Sequence, residues 1–317
     1  MNVTERVIFE QFPFWQQGLG ASLPAIDAPI TIIIGCGTSY NLAVSLAAVF
    51  NAHGRRAIAV PGGEWLRRPE AYLPDPTGAH VIALSRSGET TETVAAAAAS
   101  RATGLVVTAL TCEREGALAR EADHLAFTPT HGEEGIVMTS SASLMLLLGL
   151  RMAGVAIPTA VTEQAESLAK ALDERLAGLL TDRSHFVYLG GGAHYGICLE
   201  ASLKLQEMSQ SYTQAFHPLE YRHGPVSLLD ERTLVVTLYD PRTAQEEAQL
   251  VAELREKGAL VVGLGGPGDI SLDLDVADEL RGLVCLPALQ LLGERVAQRR
   301  NVDTVAPRHL TKVVKLA

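Results

Sequence analysis

Near its start the chain reads Ile32-Ile33-Ile34-Gly35-Cys36-Gly37-Thr38-Ser39-Tyr40, and the helix-like segment 41–50 follows. A β-branched triplet, a glycine turn and a helical segment predict a strand, a turn and a helix in that order. The pattern returns as Phe186-Val187-Tyr188-Leu189-Gly190-Gly191-Gly192-Ala193-His194-Tyr195, with two glycines and the tyrosine in matching places. The chain therefore contains the same sequence pattern twice.

Later apolar runs keep the same order in the two halves. The runs at 81–84, 105–110 and 125–129 correspond to those at 234–238, 260–264 and 283–287, and we read all of them as strands. Strands that alternate with helices indicate parallel sheets covered by helices on both faces. Two unrelated α/β domains would share this alternation, but a common order over several elements favours duplication. We predict an α/β fold of two tandem doubly wound domains, at residues 1–157 and 158–317.

Length, composition and charge agree with two globular domains. A chain of 317 residues is too long for one ordinary core and fits two domains of about 150 residues each. Hydrophobic residues make up 47% of the chain and charged residues 20%, which allows large aliphatic cores and argues against disorder. The net charge is -10 and no run of Lys and Arg occurs. These features argue against nucleic acid or an anionic membrane as a partner.

The cysteines and the apolar runs indicate the compartment. The four cysteines lie far apart without a CxxC pair, which is typical of reduced thiols rather than of a disulfide or zinc framework. The apolar run at 144–150 ends at Arg151, and the N-terminus lacks the apolar core of a signal peptide. We therefore expect a cytoplasmic protein without a membrane span, a metal site or a cofactor.

Two loops in the first half have the composition of a phosphate site. Residues 35–39 and 85–90 each follow a predicted strand and precede a predicted helix, where ligands of open α/β sheets bind. The second loop, Ser85-Arg86-Ser87-Gly88-Glu89-Thr90, offers three hydroxyls and a guanidinium to an anion. The alternative is that these Ser and Thr residues only cap helices. The second half has Tyr239-Asp240-Pro241 at the equivalent place, so we expect one phosphate site.

The sequence lacks two common nucleotide-binding motifs. It has Tyr40 where a dinucleotide fingerprint needs its third glycine, and no Walker loop occurs in the chain. We therefore expect the anion to be a phosphate monoester.

A strip of charged residues on one predicted helix indicates the wall of a ligand-binding cleft. Glu200, Lys204 and Glu207 are the only charged residues between Leu199 and Ser211, and their spacing places them on one face. The alternative is a solvated row of ion pairs. The apolar residues on both sides favour a cleft, and we expect Glu207 to act as a general base. His223 comes next along the chain, just before a Gly-Pro turn that could present its ring to a substrate, although a surface histidine is the simpler interpretation.

These residues together resemble the sugar isomerase (SIS) domain family, above all the isomerase half of glutamine-dependent glucosamine-6-phosphate synthase and its deaminase and isomerase relatives. The resemblance covers nearly the whole chain. It rests on five motifs: Cys36-Gly37-Thr38-Ser39, Ser85-Arg86-Ser87-Gly88-Glu89-Thr90, Leu199-Glu200-Ala201-Ser202-Leu203-Lys204-Leu205-Gln206-Glu207, Arg222-His223-Gly224-Pro225 and Pro307-Arg308-His309-Leu310-Thr311-Lys312.

The resemblance implies a role for each of these residues. Glu207 would move a proton between C1 and C2 beside Lys204, His223 would open the sugar ring, and Lys312 would act from the tail. Phosphate contacts would come from Ser39, Ser85, Arg86, Ser87 and Thr90. Sugar contacts would come from Cys36, Gly37, Thr38, Val137, Thr139 and Thr311. The family also implies a homodimer with shared active sites, in which the histidine comes from the neighbouring subunit.

Two positions depart from the family pattern. Arg86 replaces the usual glutamine, and Ser141 stands where a lysine is normal. The missing lysine and the start of the chain, where Met1-Asn2-Val3 leads almost directly into the first α/β unit, argue against glutamine-dependent amination by this chain. We expect a phosphosugar isomerase or deaminase that acts on a hexose or hexosamine 6-phosphate. The alternatives are a plain aldose-ketose isomerase without ammonia release and a non-catalytic phosphosugar sensor.

Overall fold

The computed structural model describes residues 1–314, which form two compact units. The first unit contains Glu10–Thr159 together with the tail from His309, and the second contains Met1–Phe9 together with Ala160–Arg308. This division differs from the predicted ranges 1–157 and 158–317 at both ends of the chain. The apolar side chains Val7 and Ile8 are buried in the second unit, and hydrogen bonds hold the tail in the first. The final residues of the tail, 315–317, lie outside the described residues.

The first unit is a parallel sheet with flanking helices. Its strands are β1 (Thr31–Gly35), β2 (Ala57–Pro61), β3 (His80–Leu84), β4 (Val106–Thr111) and β5 (His124–Phe127). Helix α1 (Val3–Phe9) precedes these elements in the chain but belongs to the second unit. The helices of the first unit are α2 (Phe12–Leu19), α3 (Thr38–Ala52), α4 (Gly62–Arg67), α5 (Thr91–Ala102), α6 (Ala117–Arg120) and α7 (Ser140–Ala153), with a 3-10 turn at Pro69–Ala71. The strand order is β2-β1-β3-β4-β5, and all pairings are parallel.

The second unit repeats this plan. Its strands are β6 (His185–Gly190), β7 (Tyr212–Phe216), β8 (Thr233–Leu238), β9 (Leu260–Leu264) and β10 (Ile270–Leu272). Its remaining helices are α8 (Val161–Leu176), α9 (Ala193–Ser209), α10 (Ala244–Glu256) and α11 (Asp278–Arg299), with 3-10 turns at Leu219–Arg222 and Pro225–Leu228. The order β10-β9-β8-β6-β7 is parallel throughout and matches the first sheet strand for strand.

The duplication extends to backbone conformation at the first turn of each unit. Gly37 has φ 56° and ψ -126°, and its counterpart Gly192 has φ 55° and ψ -126°. Both φ values lie in a region that L side chains rarely adopt, which explains why glycine occurs at both positions. The predicted α/β fold with two parallel sheets is confirmed.

One predicted strand is a helix. The segment 283–287 lies inside α11, which continues past Pro287 to Arg299, and the counterpart of β5 is β10 instead. A short window of an apolar run does not distinguish a buried strand from a buried helix. The whole run extends well beyond the roughly 4–8 residues of an ordinary strand, and that length should have favoured a helix.

The cores are aliphatic. Ile32 and Ile34 of β1 and Val81 of β3 are fully buried in the core of the first unit, and Val187, Val235 and Val261 occupy the same place in the second. Among residues 1–314, no helix combines the length and the hydropathy that a bilayer crossing would need.

Candidate active site

The turn from β1 to α3 brings backbone amides and hydroxyls to the edge of the first sheet. A Cβ on Gly35 would lie 2.6 Å from the carbonyl carbon of Ser39, so only glycine allows this close approach. Thr38 and Ser39 are buried in the first turn of α3. Helix α3 has no side-chain cap hydrogen bond, and the amide of Ser39 in its first turn donates to the carbonyl of Cys36 at 3.2 Å.

Cys36 lies in the same turn and is half-buried. Its Sγ is 3.5 Å from the Oγ1 of Thr93. Burial raises the pKa of the Cys36 thiol, and the hydrogen bond with Thr93 opposes this effect. A thiol with a raised pKa is a weak nucleophile, so Cys36 is suited to contact a ligand rather than to attack one.

The turn from β3 to α5 contains the hydroxyl-rich loop. Ser85 is buried, its amide donates to the carbonyl of Leu110 at 3.1 Å, and its Oγ lies 3.3 Å from the Oγ1 of Thr90. Ser87 Oγ accepts a hydrogen bond from the amide of Glu89 at 3.2 Å. The loop therefore keeps Ser85, Ser87 and Thr90 close to the first turn of α5.

The capping interpretation of this loop does not describe what the structure contains. Thr90 is the N-cap of α5, yet the helix has no side-chain cap hydrogen bond. Strands β1 and β3 are parallel neighbours, so the loops at 35–39 and 85–90 lie at the same edge of one sheet. Two helix N-termini with adjacent hydroxyls at one sheet edge form a favourable place for an anion.

Arg86 differs from its hydroxyl-bearing neighbours. It is 8% exposed, and its guanidinium donates to the carbonyl of Gly135 at 3.0 Å and to the carbonyl of Lys312 at 2.9 Å. Its Nη1 also lies 3.8 Å from Glu134 Oε2. The predicted contact of Arg86 with a phosphate stays a prediction.

The segment before α7 is organised by Glu134, which the sequence did not single out. Its buried carboxylate accepts hydrogen bonds from the amide of Thr139 at 2.7 Å and from the amide of Ser141 at 2.9 Å. It thereby satisfies amides at the start of α7 that the helix leaves open. Val137 and Thr139, both predicted sugar contacts, are buried in this segment. An acidic residue shortly before an apolar helix was the available signal, but its spacing matches no standard cap.

The tail packs onto this segment. Lys312 Nζ donates to the carbonyl of Glu134 at 2.8 Å. The hydroxyl of Thr311, an exposed residue, donates to the carbonyl of Val313 at 3.1 Å. The amide of Thr91 at the start of α5 lies 3.5 Å from the carbonyl of Val314. Within the first unit, the tail therefore reaches both the Glu134 segment and the hydroxyl-rich loop.

The charged strip of α9 is buried in the second unit. Glu200 is 0% and Lys204 1% exposed, whereas the Glu207 side chain is 20% exposed. Lys204 Nζ lies 3.7 Å from Glu200 Oε1 and is hydrogen-bonded to Glu207 Oε2. A solvated row of ion pairs is thus excluded. Glu207 is the carboxylate of the strip that is open to a ligand, and Lys204 holds it in place.

His223 lies on the surface of the second unit. It follows the 3-10 turn Leu219–Arg222, and its amide donates to the carbonyl of Glu220 at 3.0 Å. Gly224 has φ 121°, which explains the glycine after the histidine. His223 is on a different element from Glu207, and the predicted phosphate loops are in the first unit. That all of them serve one active site stays a prediction.

A comparison with protein families identifies the repeated unit. The sequence model of the SIS domain family matches residues 26–153 and 179–272. The first range contains all five strands of the first sheet, and the second range contains all five strands of the second sheet.

Curated relatives share this unit. The chain is 30% identical over 308 residues to a glutamine–fructose-6-phosphate aminotransferase [isomerizing] from Pyrobaculum aerophilum, covering 89% of this chain and 50% of the relative. The chain thus spans about half the length of the aminotransferases that it matches. A Streptomyces coelicolor protein named as a D-galactosamine-6-phosphate deaminase, AgaS, is 31% identical, with 94% of this chain and 89% of that protein covered.

A solved structure agrees with these sequence relatives. Glucosamine-6-phosphate deaminase from Thermotoga maritima superimposes with a TM-score of 0.87 at 28% identity, covering 99% of this chain and 100% of that chain. With both sheets matched by one family model and relatives of this kind, the chain belongs to the SIS domain family and is related to phosphosugar isomerases and deaminases.

Proposed function

We propose that this protein deaminates a hexosamine 6-phosphate to a ketose 6-phosphate and ammonia. The observation that carries the proposal is the pair of helix starts at one edge of the first sheet, α3 and α5, which have no side-chain cap hydrogen bond and lie beside the hydroxyls of Ser85, Ser87 and Thr90. These groups match the acceptor oxygens of a phosphate monoester. The relatives named for phosphosugar chemistry support this substrate class.

The residues of the second unit supply the proposed chemistry. His223 gives a proton to the ring oxygen, the C1–O5 bond breaks, and the C1 hydroxyl loses its proton to water as the aldehyde forms. Glu207 takes the C2 proton while O1 gains one from water, which gives an enolamine. Glu207 then returns a proton to C1 while the amine loses one to water, which leaves an imine at C2. Water then adds at C2, and ammonia leaves as the ketone forms. The buried Lys204 keeps the Glu207 carboxylate in one orientation for both proton transfers.

One observation favours deamination over a plain aldose-ketose isomerisation: two relatives that this chain covers almost from end to end, at 31% and 28% identity, are named for deaminases. Ser141 leaves the start of α7 without the lysine that the aminating enzymes place there, and its amide is held by Glu134 instead. The absence of that amino group fits release of ammonia better than its addition.

The proposal includes an assembly and a location. We infer a cytoplasmic homodimer in which His223 of one subunit completes the site of the other. The exposed position of His223 after the turn Leu219–Arg222 leaves it available to a neighbouring subunit.

The experiment that tests the proposal is a substrate assay with two separate readouts. The protein is incubated with glucosamine 6-phosphate, galactosamine 6-phosphate and fructose 6-phosphate, and ammonia and ketose are followed independently. We expect equal amounts of ammonia and ketose from at least one hexosamine. Ketose or aldose interconversion without ammonia would indicate a plain isomerase, and no turnover would contradict an enzyme of this class. The Glu207→Gln variant, purified in the same way, excludes a contaminating host deaminase.

A further inference from the structure

Arg86 joins three segments of the first unit that are distant in sequence. Its guanidinium donates to the Gly135 carbonyl, 49 positions away, and to the Lys312 carbonyl, 226 positions away. The planar fork of arginine can serve two acceptors at once, which lysine or glutamine in the same place cannot do equally well. The side chain therefore ties the hydroxyl-rich loop to both the Glu134 segment and the tail.

The base of this side chain is itself fixed. The carbonyl of Arg86 accepts hydrogen bonds from the amide of Cys112 at 3.2 Å and from the hydroxyl of Thr111 at 3.2 Å. Both partners lie at the end of β4 or directly after it. Because the backbone of Arg86 is anchored on the sheet, its guanidinium is a fixed point to which the tail is held.

The tail returns a contact to the same segment. Lys312 donates its Nζ proton to the carbonyl of Glu134 while its own carbonyl accepts from Arg86. Arg86, Lys312 and Glu134 thus form a closed ring of contacts, which we call the tail latch. The Glu134 carboxylate lies 3.8 Å from Arg86 Nη1 and balances its charge in a buried setting.

We propose that Arg86 is a positioning residue that fastens the Lys312 segment beside the phosphate loop, and that it does not bind the phosphate itself. Turning the guanidinium toward a phosphate would break both carbonyl contacts and leave the Glu134 carboxylate buried without its cation. Separating a buried ion pair is strongly destabilising, and one added phosphate contact does not recover that loss. The catalytic consequence rests on the proposed function, whereas the latch itself does not.

The latch gives Arg86 and Ser87 different mutational signatures, although they are adjacent. Arg86→Gln loses the fork and the charge, so the tail detaches more often while phosphate binding remains. Ser87→Ala loses a hydroxyl beside the helix start, so phosphate binding weakens while the tail stays attached. Arg101→Gln is the matched control, because Arg101 pairs with Asp123 in the same unit but on an exposed surface.

Limited trypsin digestion with intact-mass readout tests the latch. Mass separates cleavage after Lys312 from cleavage elsewhere, and tryptic access requires the Lys312 side chain to leave the Glu134 carbonyl. We expect Arg86→Gln to raise the cleavage rate after Lys312 by about tenfold or more, since hydrogen bonds from charged donors contribute about 1.5–3 kcal/mol. Arg101→Gln and Ser87→Ala should cleave like the wild type. An unchanged rate in Arg86→Gln would overturn the proposal.

Calorimetry with inorganic phosphate and glucosamine 6-phosphate gives the second readout. We expect the Arg86→Gln variant to bind both ligands with an affinity within a few-fold of the wild type, but to have a lower kcat. In a protein from which residues from Thr311 onward are deleted, Arg86→Gln should have no further effect on kcat. A loss of phosphate affinity beyond about tenfold, the loss of one charged hydrogen bond, would show that Arg86 binds the anion directly and would overturn the proposal. If the wild type binds neither ligand, the proposed function has failed, and the cleavage rates alone decide the latch.

Discussion

At the scale of single residues, exposure separates the two carboxylates of α9. Glu200 and Glu207 both neighbour Lys204, but Glu200 is fully buried and Glu207 is partly open. A general base must reach its substrate, so the geometry favours Glu207 for the proton transfer and leaves Glu200 to balance the buried lysine. Replacing Lys204 by an apolar residue would remove the cation beside the buried Glu200 and the partly open Glu207, and should cost about 3–5 kcal/mol of stability.

A residue-scale prediction concerns Ser87. We expect Ser87→Ala to weaken the binding of glucosamine 6-phosphate by about tenfold, because a hydrogen bond to a charged group contributes about 1.5–3 kcal/mol. The affinity for unphosphorylated glucosamine should stay at its low starting value, since this hydroxyl meets only the anion. Calorimetry with both ligands measures the difference. Equal weakening of the two would mean that Ser87 supports the loop, and Ser167→Ala on the exposed face of α8 controls for the loss of a serine elsewhere.

The sequence predicted the positions of the candidate loops better than the contacts that their residues make. The loops at 35–39 and 85–90 were predictable because glycine turns and hydroxyls follow apolar strands. The partners of Arg86 were not, because Gly135 and Lys312 approach it only in the folded chain. Glu134 was missed for the same reason, since its carboxylate caps α7 from outside the usual N-cap position.

At the scale of elements, the first strand and helix of each unit share one steric requirement. A Cβ on Gly190 would lie 2.8 Å from the Sγ of Cys198 and 2.9 Å from the Cβ of His194, much as one on Gly35 would meet Ser39. Each strand thus packs directly against the first turn of its helix. The strand-to-helix turn of each unit therefore needs a glycine for the same steric reason, although the surrounding side chains differ.

This requirement gives a stability prediction with an adjacent control. Gly190→Ala should lower the free energy of unfolding by about 1–3 kcal/mol, the usual cost of overpacking a tight interior. Gly191→Ala should change it little, because a Cβ there meets nothing within 4 Å. Urea unfolding of both variants measures the difference, and equal stability of the two would contradict the close packing at Gly190.

Element types were predictable where an apolar run is long and central. The strands that the sequence did not reveal, β2, β7 and β10, all lie at sheet edges, where fewer apolar side chains are needed. Tyr212–Phe216 carries Thr213 and Gln214 and has an exposed first residue, so it lacks the apolar signature of a central strand. The reverse error occurred at 283–287, where a fully apolar segment belongs to a long buried helix.

The tail gives a second element-scale prediction. Deleting residues from Thr311 onward removes Lys312 and the latch, but none of the strands and helices that the structure describes in residues 1–314. We expect an almost unchanged melting temperature and the loss of most turnover, because the tail lies over the loop and segment that would surround the sugar. Thermal unfolding and the ammonia assay measure the two effects. Full activity of the truncated protein would leave Lys312 without a catalytic role.

At the scale of the whole molecule, the proposed dimer predicts complementation. Glu207→Gln and His223→Ala should each be inactive alone. If His223 serves the neighbouring subunit, a mixed dimer regains one intact site, and a fully exchanged equal mixture should recover about a quarter of the wild-type activity. Subunit exchange is verified by mass-tagged chains in native mass spectrometry. Exchanged subunits without recovered activity would show that the site is not shared.

The central claim is that Glu207 moves the C2 proton of a bound hexosamine 6-phosphate. The most direct measurement follows the reaction in D2O by NMR, with wild type and Glu207→Gln at matched saturation and ammonium quantified in the same sample. We expect the wild type to give one ammonium for each ketose, with solvent deuterium appearing at C1. Glu207→Gln should bind the substrate within a few-fold of the wild type but lose about 10²–10⁴-fold in both signals. Deuterium exchange at the wild-type rate in Glu207→Gln would contradict the account.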